Sequence, residues 1–253
     1  MIRHSPPAAL LAASLLLTGC GGGAAAVQDH RPGAAPAAST PQALGRPSPP
    51  AASPENTAPR TLPGLGPKTL SEVPSDARQA VVVTGRGSDS PLSTVVLYER
   101  TAAGWQAGES WPAHNARNGW TDHHRAGDLR SPIGVFTLTD AGGRLRDPGT
   151  RLPYDRGSGF TATGTGFEGE PLAGSFDYVI AINYNRRSGT TPLDWTRPLG
   201  AARGGGIWFH VDHGGPTHGC VSIAEQHMVD LLRTLDPGRH PVVVMGDADS
   251  LAR

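Results

Sequence analysis

A mainly β, sandwich-like domain with one or two helices, carried on a Pro/Ala-rich tether, is the fold class this sequence predicts. Short apolar and β-branched runs recur through residues 76–253, separated by Gly- and Pro-rich turns, the pattern of a sandwich or barrel. Only one segment spaces its apolar residues helically. Residues 21–75 are Ala, Pro, Gly, Ser and Thr with few large apolar side chains. Such a segment buries too little apolar surface to offset its ordering entropy, so it reads as disordered, and its prolines stiffen it toward extended geometry.

The elements follow in order. Residues 80–84 form a first β-branched run and residues 93–100 a second, and Trp105 lies in a third. Residues 135–139 follow the turn-forming Ser131-Pro132-Ile133-Gly134. Residues 178–184 and 207–211 are strongly strand-like, and residues 241–245 close the domain. The helix is read from Ser222 to Glu225 as a capping box, with Met228, Leu231, Leu232 and Leu235 on one face and Pro237-Gly238 as its stop. That reading puts Cys220 just before a helix N-terminus, where the dipole favours a thiolate.

The first twenty residues read as an export signal. Arg3 and His4 precede an apolar stretch over residues 8–17, too short to span a bilayer, and Thr18-Gly19 then precede Cys20. This pattern resembles a bacterial lipoprotein signal with Cys20 as the acylated residue, which places the chain outside the cytoplasm, lipid-anchored to a membrane and facing the cell wall. The chain has 22 basic and 22 acidic residues and no Lys/Arg run, so nucleic acid is not an expected partner. At 253 residues it has room for one ordinary domain beyond the signal (1–20) and linker (21–75).

The chain holds two cysteines. With Cys20 acylated, Cys220 is left as a lone thiol in an exported protein. His210 ends a strand-like run, and a loop containing Gly214-Gly215-Pro216 returns the chain to Thr217-His218-Gly219-Cys220. A thiol with an imidazole in reach is the basic kit of covalent acyl transfer: the histidine takes the thiol proton and later protonates the leaving amine. N–H groups around Gly219 and Cys220 are candidates for an oxyanion hole. Gly219 itself, lacking a Cβ, would permit unusual backbone angles and close approach of substrate. Asp212 or a backbone carbonyl would orient His210.

His210, the run from Thr217 to Cys220 and the following Val221 resemble the signature of the L,D-transpeptidases of the YkuD type. Gly127-Asp128 with Arg130-Ser131-Pro132-Ile133-Gly134-Val135-Phe136, and Ile182-Asn183-Tyr184-Asn185, resemble upstream parts of the same family, so the likeness covers roughly residues 122–246. The resemblance implies a β-sandwich-like catalytic domain over residues 76–253 that needs no cofactor or metal. It implies Cys220 as nucleophile, His210 as general base and acid, and Gly219, with His218 and Thr217, near the oxyanion and substrate. It further implies peptidoglycan stem peptides as substrates, a role in cell-wall organisation and cell shape, and inhibition by carbapenems. Two positions depart from the family's pattern: Val211 follows the histidine where Gly is frequent, and Ser222 stands two residues after the cysteine where Arg is frequent. Arg203 and Arg186 are then the cations available for a substrate carboxylate.

Two rivals belong to other classes. His210, His213, His218 and Cys220 could ligate zinc in a cell-wall peptidase, although their spacing fits no zinc signature and no Glu base stands beside them in sequence. A non-catalytic envelope-binding lipoprotein is the other. His123-His124 reads as an exposed loop pair, and the tryptophans as core and rim.

Overall fold

A computed structural model describes residues 58–253. The export signal, Cys20 and the tether up to residue 57 lie outside the described residues. Within them the chain runs α1 (Pro67–Glu72), β1 (Gln79–Gly85), β2 (Leu92–Thr101), β3 (Gly104–His114), β4 (Trp120–Thr121), β5 (Ser131–Pro132), β6 (Gly134–Gly143), β7 (Tyr154–Arg156), β8 (Val179–Ile182), β9 (Trp208–Val211), β10 (Val221–Ile223), α2 (Glu225–Thr234), β11 (Val242–Asp247) and α3 (Ala248–Leu251). The fold is mainly β, as the sequence predicts.

One sheet takes nearly all the strands, in the order β11-β1-β2-β3-β10-β9-β8-β6-β7, and a β6–β11 pairing closes it into a ring. Closure removes the exposed edges that an open sheet would present. The inner face buries Val81, Val83, Val95, Leu138, Ile180, Phe209, Val221, Ile223 and Val243. Met228, Leu231, Leu232 and Leu235 of the α2 segment pack into the same cluster, which is why their helical spacing was needed. On the outside of β1 and β11, Ala80, Val82, Val242 and Val244 are covered by Leu62, Trp105 and Leu251. Outside β8 and β9, Val179, Ala181 and Trp208 are covered by Phe160, Phe176 and Leu193.

Two local readings are corrected. Residues 58–75 are not tether. Leu62 is 2% exposed, and Leu65, Leu70 and Val73 pack on the same outer cluster. The Gly66 N–H donates to the Leu251 carbonyl at 2.8 Å, which ties α1 to the C-terminal helix. A few leucines suffice here because an apolar strand face awaits them. The capping box is also not formed: α2 has Ala224 as N-cap, with no side-chain cap. Val221-Ser222-Ile223 instead form β10, pairing with β3 on one side and β9 on the other. Two open sheet neighbours outcompete a cap, since each strand residue gains ladder hydrogen bonds and an alternating side chain gains the core.

Candidate active site

Alternation along β9 and β10 builds the site. Phe209, Val221 and Ile223 point into the ring. Trp208, His210, Cys220 and Ser222 therefore point out. The strands are parallel, with Val221 opposite Phe209 and Ser222 opposite His210. Cys220 thus precedes the register position of His210 by one same-face step, and the two side chains are diagonal neighbours on one face.

His210 is 3% exposed. Its Nδ1 lies 2.9 Å from the Val211 carbonyl oxygen, which can only accept, so Nδ1 carries the proton and Nε2 is the basic nitrogen. The backbone, not Asp212, orients the ring: Asp212 accepts from Ser222 Oγ at 2.6 Å and from His114 Nδ1 at 2.8 Å. Phe176 meets the His210 ring edge-on at 5.5 Å, and His213 stacks on it at 5.7 Å. Burial pushes the His210 pKa down to about 4, although the Val211 hydrogen bond opposes it.

Cys220 is partly buried against the outer cluster, and its thiol donates to the Gly206 carbonyl at 3.5 Å. Burial pushes the thiol up to about 11, partly offset by a backbone hydrogen bond from Trp208. The expected helix N-terminus does not lie beside it, because β10 intervenes and α2 starts at Glu225. At neutral pH the resting pair is therefore a neutral thiol and a neutral imidazole. Such a pair suits general base catalysis, with the proton leaving sulfur as the sulfur attacks, better than it suits a preformed ion pair.

The Thr217–Cys220 run divides its roles. Thr217 is buried; its N–H donates to Asn115 O at 3.0 Å and its hydroxyl to Cys220 O at 2.7 Å, so it braces the turn. His218 is exposed and packs on Phe167 at 4.6 Å between ring centroids. Gly219 does not need the left-handed region, being absent from the residues with positive φ. A Cβ on it would lie 3.0 Å from Ile207 Cδ1 and at an ordinary contact distance of 3.7 Å from the Arg130 carbonyl, so the glycine is closely packed and a side chain here would need the Ile207 methyl to give way slightly.

A cavity of about 470 Å³ opens beside the sulfur, lined among others by His124, Trp195, Arg197, His218, Gly219 and Cys220. Sequence reasoning missed three of these. His124 is not exposed: it is 5% accessible, its Nδ1 lies 3.1 Å from Asp128 Oδ1, and its ring meets Tyr184 edge-on at 5.2 Å. Tyr184 donates to the Arg203 carbonyl at 2.8 Å, and Asn185 Nδ2 to that of Gly204 at 2.6 Å. The Ile182–Asn185 motif thereby holds the glycine-rich wall of the cavity. Neither arginine expected to bind a carboxylate lines this space. Arg186 is buried and bonded to Asp140 at 2.8 Å, and Arg203 lies outside the lining.

Glu170 was also invisible in sequence. Its Oε1 lies 3.2 Å from His213 Nδ1, and a Cβ on Gly215 would fall 2.2 Å from that oxygen. This pair buttresses the far side of His210. The four residues considered for zinc thus turn to different partners: Val211, Glu170, Phe167 and Gly206. Among the described residues no three His, Cys, Asp or Glu side chains are grouped to hold a metal.

No curated protein matches the chain. A solved structure from Bdellovibrio bacteriovorus, that of Bd1075, is 15% identical over 68% of this chain and 48% of its own, with a TM-score of 0.38. The chain thus spans about half the length of that structure. Residues 75–244 match the YkuD family, the L,D-transpeptidase catalytic domain, and the chain belongs to that family.

Proposed function

We propose that the chain is a lipid-anchored, cysteine-dependent L,D-transpeptidase of the bacterial envelope that acts on peptidoglycan tetrapeptide stems. The observation that carries the reading is the shared outer face of Cys220 and His210 on paired strands, with His210 Nδ1 bonded to Val211 and Nε2 left as base. Cys220 Sγ attacks the carbonyl between the diaminopimelate L-centre and the terminal D-Ala. The thiol proton moves to His210 Nε2, and N–H groups near Gly219 and Cys220 hold the oxyanion. Collapse breaks the C–N bond, D-Ala leaves with the proton from His210, and a thioester remains. An amine of a second stem then loses its proton to His210 and displaces sulfur, which gives a 3→3 cross-link.

The first test incubates the purified protein with tetrapeptide-bearing muropeptides and follows products by mass spectrometry. D-Ala release and a cross-linked or exchanged product are expected, and meropenem should add to the Cys220 peptide. Cys220→Ala should fold normally and form no thioester; turnover by that variant would overturn the assignment. The anchor is tested separately by fractionation: Cys20→Ala should move the protein from the membrane to the soluble fraction, and unchanged membrane recovery would refute acylation at Cys20.

A further inference from the structure

The cavity beside Cys220 is lined by one arginine, two histidines and no carboxylate. That arginine, Arg197, keeps most of its donors free. Its Nη1 donates to two backbone carbonyls, Asp194 O and Thr196 O, each at 3.1 Å. The neighbouring acid, Asp194, directs its carboxylate to the Thr196 N–H at 2.8 Å. Among the described residues no ion pair neutralises the guanidinium. Its guanidinium carbon lies over the ring of Trp195, 4.7 Å from the centroid, and Trp195 is 73% exposed at the cavity rim. An arginine stacked by its face presents its edge, the fork that matches a carboxylate with two parallel hydrogen bonds.

A Cβ on Gly206 would lie 3.5 Å from Arg197 Nη2, and one on Gly205 2.3 Å from Arg197 Nε, so the guanidinium is laid against this glycine wall. The carbonyl of Gly206 in turn accepts the Cys220 thiol. The cation therefore stands one residue's breadth from the sulfur, on the cavity side. In a substrate whose carbonyl sits at that sulfur, the α-carboxylate of the leaving residue lies only three bonds beyond.

We infer that Arg197, held by Trp195, is the specificity residue of this cavity and binds the free α-carboxylate of the residue that leaves. The inference rests on the transpeptidase reading for the identity of the substrate, but not for the presence of an anion site beside Cys220.

Two measurements on the full-length protein separate the questions. The first compares alkylation of Cys220 by iodoacetate and by neutral iodoacetamide, read on the Cys220 peptide by mass spectrometry. Arg197→Gln should lower the iodoacetate-to-iodoacetamide rate ratio by about fivefold, the size of one solvent-screened charge pair. Arg197→Lys should restore much of the ratio, and equal unfolding midpoints would show that the fold is unchanged. The second compares tetrapeptide stems with a free and an amidated terminal carboxyl. Wild type should prefer the free acid by roughly 30-fold in kcat/KM, and Arg197→Gln should lose that preference. An unchanged alkylation ratio overturns the inference, as does a preference that depends only on the diaminopimelate side-chain carboxyl. A lowered ratio in a protein that turns over neither peptide supports the anion site and overturns the transpeptidase reading instead.

Discussion

Two histidines flank Ser222 in one row of the sheet, His114 on β3 and His210 on β9. Both side chains lie on the outer face, yet their surroundings drive them in opposite directions. His114 donates to Asp212, and that hydrogen bond raises its pKa above the ordinary value. Glu168 and Glu170 add to the effect, while burial opposes it. His210 meets a carbonyl, the Phe176 edge and the His213 face, and burial drives its pKa down to about 4. The same residue type, one strand away on each side of a serine, has its protonated form favoured in one place and disfavoured in the other. Desolvation without an anion makes a base; an anion at hydrogen-bonding distance makes an ion pair.

The largest expected break in this contrast comes from His210→Asn. Loss of a positioned base should slow acylation of Cys220 by about 10²–10⁴-fold, measured as the rate of meropenem adduct formation at pH 7. In wild type that rate should hold level from about pH 5 upward, because the imidazole is neutral above about 4 and the thiol keeps its proton until about 11. A rate that climbs between pH 6 and 7 would show that His210 titrates normally. Stability gives an independent check. A histidine whose folded pKa lies below its unfolded value resists protonation in the fold, so its contribution is complete above about 6.5 and declines as pH falls toward 4. His210→Asn should therefore be less acid-sensitive than wild type in urea unfolding.

Most of the strands, and the shared face of His210 and Cys220, were legible in the sequence, for identifiable reasons. The run near 93–100 buries alternate residues in β2, while those near 80–84 and 178–184 are covered on both faces in β1 and β8, so their β-branched and apolar signal survives into the strands. The spacing of His210 and Cys220 reports their shared face because both strands are short and their pairing is local. β10 was missed because three residues carry little periodicity, and the helical pattern just downstream absorbed them. Residues 58–75 were missed because their leucines are covered by strands far away in sequence. Glu170, Arg197 and His124 reach the site on long connections between strands, and no local rule gives the destination of a loop. Asp212, one of the two candidates to orient His210, turns elsewhere, since its partners come from β3 and β10.

A smaller effect is expected at the anchor. Asp212→Asn removes the charge that His114 and Ser222 share and should cost about 1–3 kcal/mol, the range for hydrogen bonds to a charged group. The pH dependence of that loss has a definite sign. The Asp212 pKa is depressed to about 2, so its contribution is present above about 3.8 and lost as pH falls through 2. The His114 pKa is raised, so its contribution is present below about 6.5 and lost as pH rises through its elevated value. The gap in urea stability between wild type and Asp212→Asn should therefore be widest between about pH 4 and 6.5 and narrow on both sides. A gap that stays constant across that range would mean the pair adds packing but no ionic stabilisation.

The finest division of the contrast falls on Ser222, fully buried between the two rings and bonded to Asp212 at 2.6 Å. Ser222→Ala removes one of the donors to a carboxylate that keeps His114 Nδ1 and the Gly214 N–H. The loss should be about 0.5–1.5 kcal/mol, smaller than that of Asp212→Asn, with the His114 titration followed by NMR moving only slightly toward its ordinary value. If the serine serves the anchor alone, Cys220 acylation should change less than twofold, because the His210 hydrogen bond runs to Val211 and not through Ser222. A tenfold drop in acylation with little loss of stability would join the two histidines into one functional row, and the separation between anchor and base would fail.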